Sequence, residues 1–141
     1  MSMSSMYRNL KELLDITTEE HVLGTNNIFE ALKLFHEARE KTYQMSFAKR
    51  GESGVWLNVA RKYDRIDELA MVRFDGNAST FTLIDCLIDV AVYALKWVDL
   101  LARLDPLGFA EWVKNVYARD CNISYTEAMN KFNCNYDVID D

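Results

Sequence analysis

TFTLIDCLIDVAVYALKWVDLLARL, residues 80 to 104, is apolar on nearly every side of an α-helix: Phe81, Leu83, Ile84, Leu87, Ile88, Val90, Ala91, Leu95, Trp97, Val98, Leu100 and Leu101 cover most of its directions. A helix of that kind needs neighbours on most faces, so the spacing predicts the middle of an all-α bundle. Its polar residues Thr82, Asp85, Asp89, Lys96, Asp99 and Arg103 step by threes and fours along one narrow stripe, with a gap at Val92. Two readings of the stripe are open. In one it is the solvated edge of a buried helix, with acids nearer the N-terminus and bases further on, as the helix dipole favours. In the other, Asp85 and Asp89 project together about one turn apart and share a divalent cation with carboxylates on a facing helix.

Working outward, the chain of 141 residues is expected to be a single domain with one sizeable core. Five glycines and one proline leave little room for an all-β fold, which needs many turns. A net charge of -6, with no basic patch or tail, argues against a nucleic-acid or anionic-membrane binder. Small anionic ligands remain open where a metal or a local Lys/Arg cluster offsets the field. Cys86, Cys121 and Cys134 are odd in number and lack C-x-x-C spacing, which suggests neither a disulfide framework nor a zinc site and fits a reducing cytoplasm. Neither a signal peptide nor a membrane span is expected, because the apolar stretches are too short or carry charges.

Before the central helix, Met6, Leu10, Leu13, Leu14 and Ile16 give a short amphipathic helix in an N-terminal arm over 1–24. Thr17-Thr18-Glu19-Glu20 reads as a second helical start, and Gly24-Thr25-Asn26-Asn27 as a loop with Asn27 as N-cap of the next helix, 28 to 47. On that helix Glu37 and Glu40 share a face in ligand-like spacing, which equally suits exposed helix carboxylates. Residues 49–54 read as a turn, basic on one side through Lys49 and Arg50, and a third helix spans 55 to 72. It carries Arg61, Lys62 and Arg65, either a salt-bridged surface or a wall that grips phosphates. Asp75-Gly76 signals a turn, and Ser79 or Thr80 caps the central helix.

After the central helix, Asp105-Pro106 stops the pattern. Phe109, Trp112, Val113 and Val116 then predict about three helical turns, and Ser124-x-x-Glu127 opens a last short helix as a capping box. The expected architecture is a helical bundle with three long core helices over 28–104, C-terminal helices over 107–133 and an acidic tail over 134–141. The central helix is apolar on too many sides for two others to cover, so at least a homodimer is expected. Phosphate-loop, dinucleotide and zinc-protease motifs are absent, and His21 and His36 have no nucleophile partner in sequence.

FHEAREKTYQMSFAKRGESGVW (35–56), NVARKYDRIDEL (58–69) and TLIDCLIDVAVYAL (82–95) resemble the small phage and prophage proteins grouped as nucleotide modification associated domain, type 1. These are in turn similar in helical pattern to the all-alpha NTP pyrophosphatases, the group that contains MazG. The most specific pieces are Arg61-Lys62-x-x-Arg65 and the D-x-L-x-D-x-A-x-Y-A run from Asp85 to Ala94. The resemblance implies an oligomeric helical bundle with a nucleotide, or another small phosphorylated ligand, between helices. It implies Mg2+ held by Glu37, Glu40, Asp85 and Asp89, which would activate water for attack on the α–β phosphate linkage. Arg50, Arg61, Lys62 and Arg65 would then meet phosphates, and Trp56 or Tyr93 would stack on the base. The first acidic motif lacks an adjacent extra glutamate and the second has no leading Glu. Those departures favour the alternative: a non-catalytic module that sequesters a nucleotide or docks on a partner, such as a phage anti-defence factor in the host cytoplasm.

Overall fold

The computed structural model describes residues 9–74, 76 and 79–132, with the backbone alone at Lys11. Every regular element among them is helical: α1 (Leu10–Leu14), α2 (Thr18–Tyr43), a 3-10 turn (Ser46–Ala48), α3 (Gly51–Phe74), α4 (Thr80–Leu104), α5 (Pro106–Trp112), a π-helical segment (Val113–Tyr117), α6 (Ala118–Cys121) and α7 (Tyr125–Phe132). The all-α expectation holds. None of these helices is long and apolar enough to cross a membrane. The chain divides into two compact units, one running to Ala94 and the other from Leu95.

In the first unit, α2 corrects the expected loop at Gly24-Thr25-Asn26-Asn27, which lies inside one continuous helix of 26 residues. Thr17 is the N-cap: its hydroxyl accepts from the Glu20 backbone N–H at 3.1 Å, with Glu19 and Glu20 in the first turn. Once that start exists, each further residue adds a hydrogen bond without a new nucleation cost, so four weak helix formers in a row do not break the helix. The helix also ends at Tyr43, four residues before the expected Phe47, because the chain turns left-handed at Gln44 (φ 45°) and Met45 (φ 61°). Glu40 closes this end twice. Its carbonyl accepts from Gln44 N–H at 2.9 Å, and its Oε2 accepts from Met45 N–H at 3.1 Å.

The expected turn over 49–54 shrinks to Lys49 and Arg50, since Gly51 (φ 70°) supplies the positive φ from which α3 starts. Gly54, already helical, leaves space that Arg50 fills: a Cβ there would lie 2.8 Å from the Arg50 Cβ. The central helix has the bounds that its periodicity predicts. Of its expected caps, Ser79 makes the hydrogen bond, a long one of 3.5 Å from Thr82 N–H. Gly76 takes φ 86°, as a turn requires, while Asp75 lies outside the described residues.

The interior of this unit is thin: among the described residues, Val55, Leu69, Cys86 and Val92 are its buried apolar ones. Val55, Lys62 and Leu69 recur at seven-residue intervals on α3, and Thr25, Leu32 and Arg39 do so on α2. Asp89 follows Cys86 and precedes Val92 by three each on α4. Charged residues therefore stand within the same lines that supply the apolar seam. Large apolar side chains remain outside it, among them Leu34 (71% exposed), Phe29 (56%) and Phe81 (80%).

The second unit packs around Val113, Ala118 and Ala128, with Phe109, Tyr117, Ile123, Met129 and Phe132 against them. Asp105 caps α5 through Gly108 N–H at 2.9 Å, with Pro106 at the first helical position. The expected three turns after it are interrupted by the π-helical segment. Trp112 and Tyr117 are five residues apart, a spacing that an α-helix would splay by more than a third of a turn. The wider turn brings their rings to 6.2 Å, and both meet Phe132, at 6.3 Å and 4.8 Å. Asn122 (φ 55°) ends α6, and Ser124 opens α7 by accepting from Glu127 N–H at 3.1 Å, as the capping box predicts. The acidic tail lies outside the described residues.

Candidate functional site

Asp89 is the one buried charged residue of the described chain, 8% exposed, and it sits on the inward line of α4. Its Oδ1 accepts from Arg39 Nη1 of α2 at 2.9 Å and its Oδ2 from Lys62 Nζ of α3 at 3.1 Å. One carboxylate thus ties three long helices. The two cations are only partly sheltered, with side chains 33% and 39% exposed. Their remaining donors exceed what a single carboxylate can accept, so the cluster keeps a surplus of one positive charge and open hydrogen-bonding capacity toward solvent.

Arg39 is held from a second direction. Phe35 and Tyr43, one turn to either side on α2, place their rings 5.1 Å and 5.6 Å from its guanidinium carbon. Both rings are themselves well exposed, at 40% and 53%. The electrostatics follow from this arrangement. Burial alone pushes the Asp89 carboxyl up, but the hydrogen bonds and charges of Arg39 and Lys62 outweigh it and hold the group below the usual carboxylate range. The hydrogen bond to Asp89 raises Arg39 in turn, against a desolvation that lowers it, with smaller contributions from Asp89, Tyr93 and Tyr43. Tyr93 lies one turn beyond Asp89 on α4. One turn before Arg39, the Nδ1 of His36 is buried without a hydrogen-bond partner, an exception among buried polar groups.

The expected site residues scatter around this cluster. Lys62 and Tyr93 belong to it. Arg61 and Arg65 flank Lys62 on α3 but face outward, and Arg65 pairs with Glu68 at 3.4 Å. The expected cationic wall therefore contributes one of its three members. Arg50 is exposed in the turn before α3, and Trp56 is half exposed. Glu37 and Asp85 are exposed, whereas Glu40 closes the end of α2. The stripe on α4 divides as well: Asp89 turns in, while Asp99 and Arg103 form a surface pair at 3.0 Å.

Arg39 is the residue that the sequence reading missed. It looked like one charge among Glu37, Glu40 and Lys41, yet two signals single it out. It continues the line of Leu32, and it has an aromatic residue four positions to each side.

A magnesium ion needs several carboxylate or carbonyl oxygens converging at about 2.1 Å. No three His, Cys, Asp or Glu among the described residues gather into a group that could hold a metal ion. Both Asp89 oxygens accept from cations, so an incoming metal would have to displace Arg39 or Lys62 and then face the other. The residues present do not fit a magnesium centre at Asp89.

Among known proteins, the chain is similar to the Gene 30 protein of Bacillus phage SP01, 28% identical over 117 aligned positions. The alignment takes in 66% of this chain and 52% of that protein, so the chain spans about half the length of its relative. No family profile matches the sequence. No solved structure matches it either. The comparisons therefore give this chain a distant phage relative.

Proposed function

We propose that this chain is a phage-type nucleotide-binding module, working in the host cytoplasm, that holds a phosphorylated ligand without hydrolysing it. The observation that carries the reading is the pair Arg39 and Lys62, two cations from different helices aimed by one buried carboxylate. Phosphoryl oxygens suit their spare donors, and the exposed rings of Phe35 and Tyr43 offer apolar faces beside them for a base. Asp89 is committed to its two cations, which leaves no free carboxylate there to hold a metal or take a proton from water.

The experiment is calorimetric titration with a panel of nucleoside triphosphates, paired with chromatography of the same mixtures after incubation with magnesium. Binding with intact triphosphate is the expected result. Release of monophosphate and pyrophosphate would make the protein an enzyme and end the non-catalytic reading. A second reading, a protein-interaction module that also self-associates, is favoured by the exposure of Phe29, Leu34 and Phe81. Light scattering at micromolar concentration tests the self-association, and a monomer would count against it.

A further inference from the structure

A divalent cation placed among acidic helices does two things: it cancels carboxylate charge, and it draws the helices together by accepting a ligand from each. In this chain both tasks fall to side chains. Arg39 from α2 and Lys62 from α3 supply two positive charges to one carboxylate of α4, each on its own oxygen, at 2.9 Å and 3.1 Å. Other carboxylates of the described chain do not compete for this position in a metal-binding group. Glu40, on the same helix as Arg39, spends an oxygen on the Met45 N–H. The charge left over at the cluster is positive, whereas a carboxylate cage awaiting a metal is negative. A site of that sign attracts anions and repels divalent cations.

We propose that Arg39 and Lys62 take, in this chain, the place between α2, α3 and α4 that a divalent cation would otherwise hold, so that the Asp89 site receives phosphate-bearing anions without metal. The anion half of this inference rests on the binding function proposed above. The metal half does not, because it concerns the protein alone.

Two measurements on the full chain separate them. The first titrates manganese alone into the protein and follows the free-ion electron paramagnetic resonance signal, with thermal melts in EDTA and in magnesium for wild type and Asp89→Asn. Expected are an undiminished manganese signal and melting temperatures that respond to magnesium equally in both proteins. Stoichiometric loss of the signal, or a magnesium stabilisation present in wild type and absent in Asp89→Asn, overturns the metal half, since a bound ion stabilises the state that binds it. Should Asp89→Asn fail to fold, the manganese titration on wild type decides alone.

The second measurement titrates inorganic tripolyphosphate, which carries phosphoryl charge with neither base nor sugar, in EDTA and again in magnesium. Binding in EDTA is expected, about tenfold weaker in Lys62→Gln, the loss expected for one charge-assisted hydrogen bond. Binding that requires magnesium, binding unchanged in Lys62→Gln, or no binding in either buffer overturns the anion half. Nucleotide binding that survives while tripolyphosphate fails would leave the functional proposal standing and move its contacts to the base and sugar.

Discussion

Removing both cations from Asp89 is the most telling perturbation of the first unit. In Arg39→Met/Lys62→Met the carboxylate keeps its buried position, its side chain 11% exposed, and loses both partners. An uncompensated buried charge costs roughly 3–5 kcal/mol. Protonation caps that cost, so the penalty should shrink as the pH is lowered toward the raised pKa of the orphaned group. Each single substitution leaves one cation in place and should cost about 1–2 kcal/mol, because these cations are a third or more exposed and solvent screens them. The double variant should therefore exceed the sum of the singles. Adding Asp89→Leu should then return stability to within about 1 kcal/mol of wild type or above it, since apolar replacement of a buried ion cluster is often neutral or stabilising. Urea unfolding followed by circular dichroism measures all of these, with the midpoint read at constant slope. A double variant destabilised by less than about 1 kcal/mol would refute the reasoning, since it would place Asp89 in effective contact with water. So would a triple variant no more stable than the double.

The remaining predictions concern pH, backbone and the second unit. Asp89 has its folded pKa below the unfolded value of about 3.9, so its stabilisation is fully present above that value and is lost as the pH falls through the folded one. The stability difference between wild type and Asp89→Asn should hold steady from about pH 5 to 7 and shrink below about pH 4; a difference that instead changes near neutrality would refute this assignment. Gly24→Ala should stabilise by about 1 kcal/mol, because a Cβ there meets nothing within 4 Å inside a helix. Gly54→Ala should destabilise despite the same helix preference, since its methyl would lie 2.8 Å from the Arg50 Cβ; melting temperatures moving in one direction for both would contradict the stated packing. Phe132→Ala should cost roughly 3 kcal/mol by removing the ring that Phe109, Trp112 and Tyr117 share, read from the same urea midpoints.

How much of this was legible in the sequence depends on which interactions are local. The bounds of α4, the Asp105-Pro106 stop and the Ser124 capping box were readable because caps and apolar periodicity act within a few residues. The loop expected at Gly24 rests on the same local logic: four weak helix formers favour a loop by summed propensity, but the helix has already started at Thr17 and continues through them. The π-helical segment was not readable from period alone, because it answers to Phe132, a ring that arrives from another helix.

The candidate site was half legible for a related reason. Asp89 stood out as a carboxylate on an apolar helix, which flags a partner without saying its sign. Acids spaced at i and i+4 suggested more acids and a metal; the partners are a cation from α2 and a cation from α3. The sign could have been weighed from the lines themselves. A charged residue that continues a seven-residue apolar line, as Arg39 follows Leu32 and Lys62 falls between Val55 and Leu69, must find a countercharge inside or leave the line. Asp89 is the inward carboxylate on α4, and two cations facing one acid leave a positive remainder. That remainder, read from three helical registers together and not from any one motif, is the observation on which the proposed anion site rests.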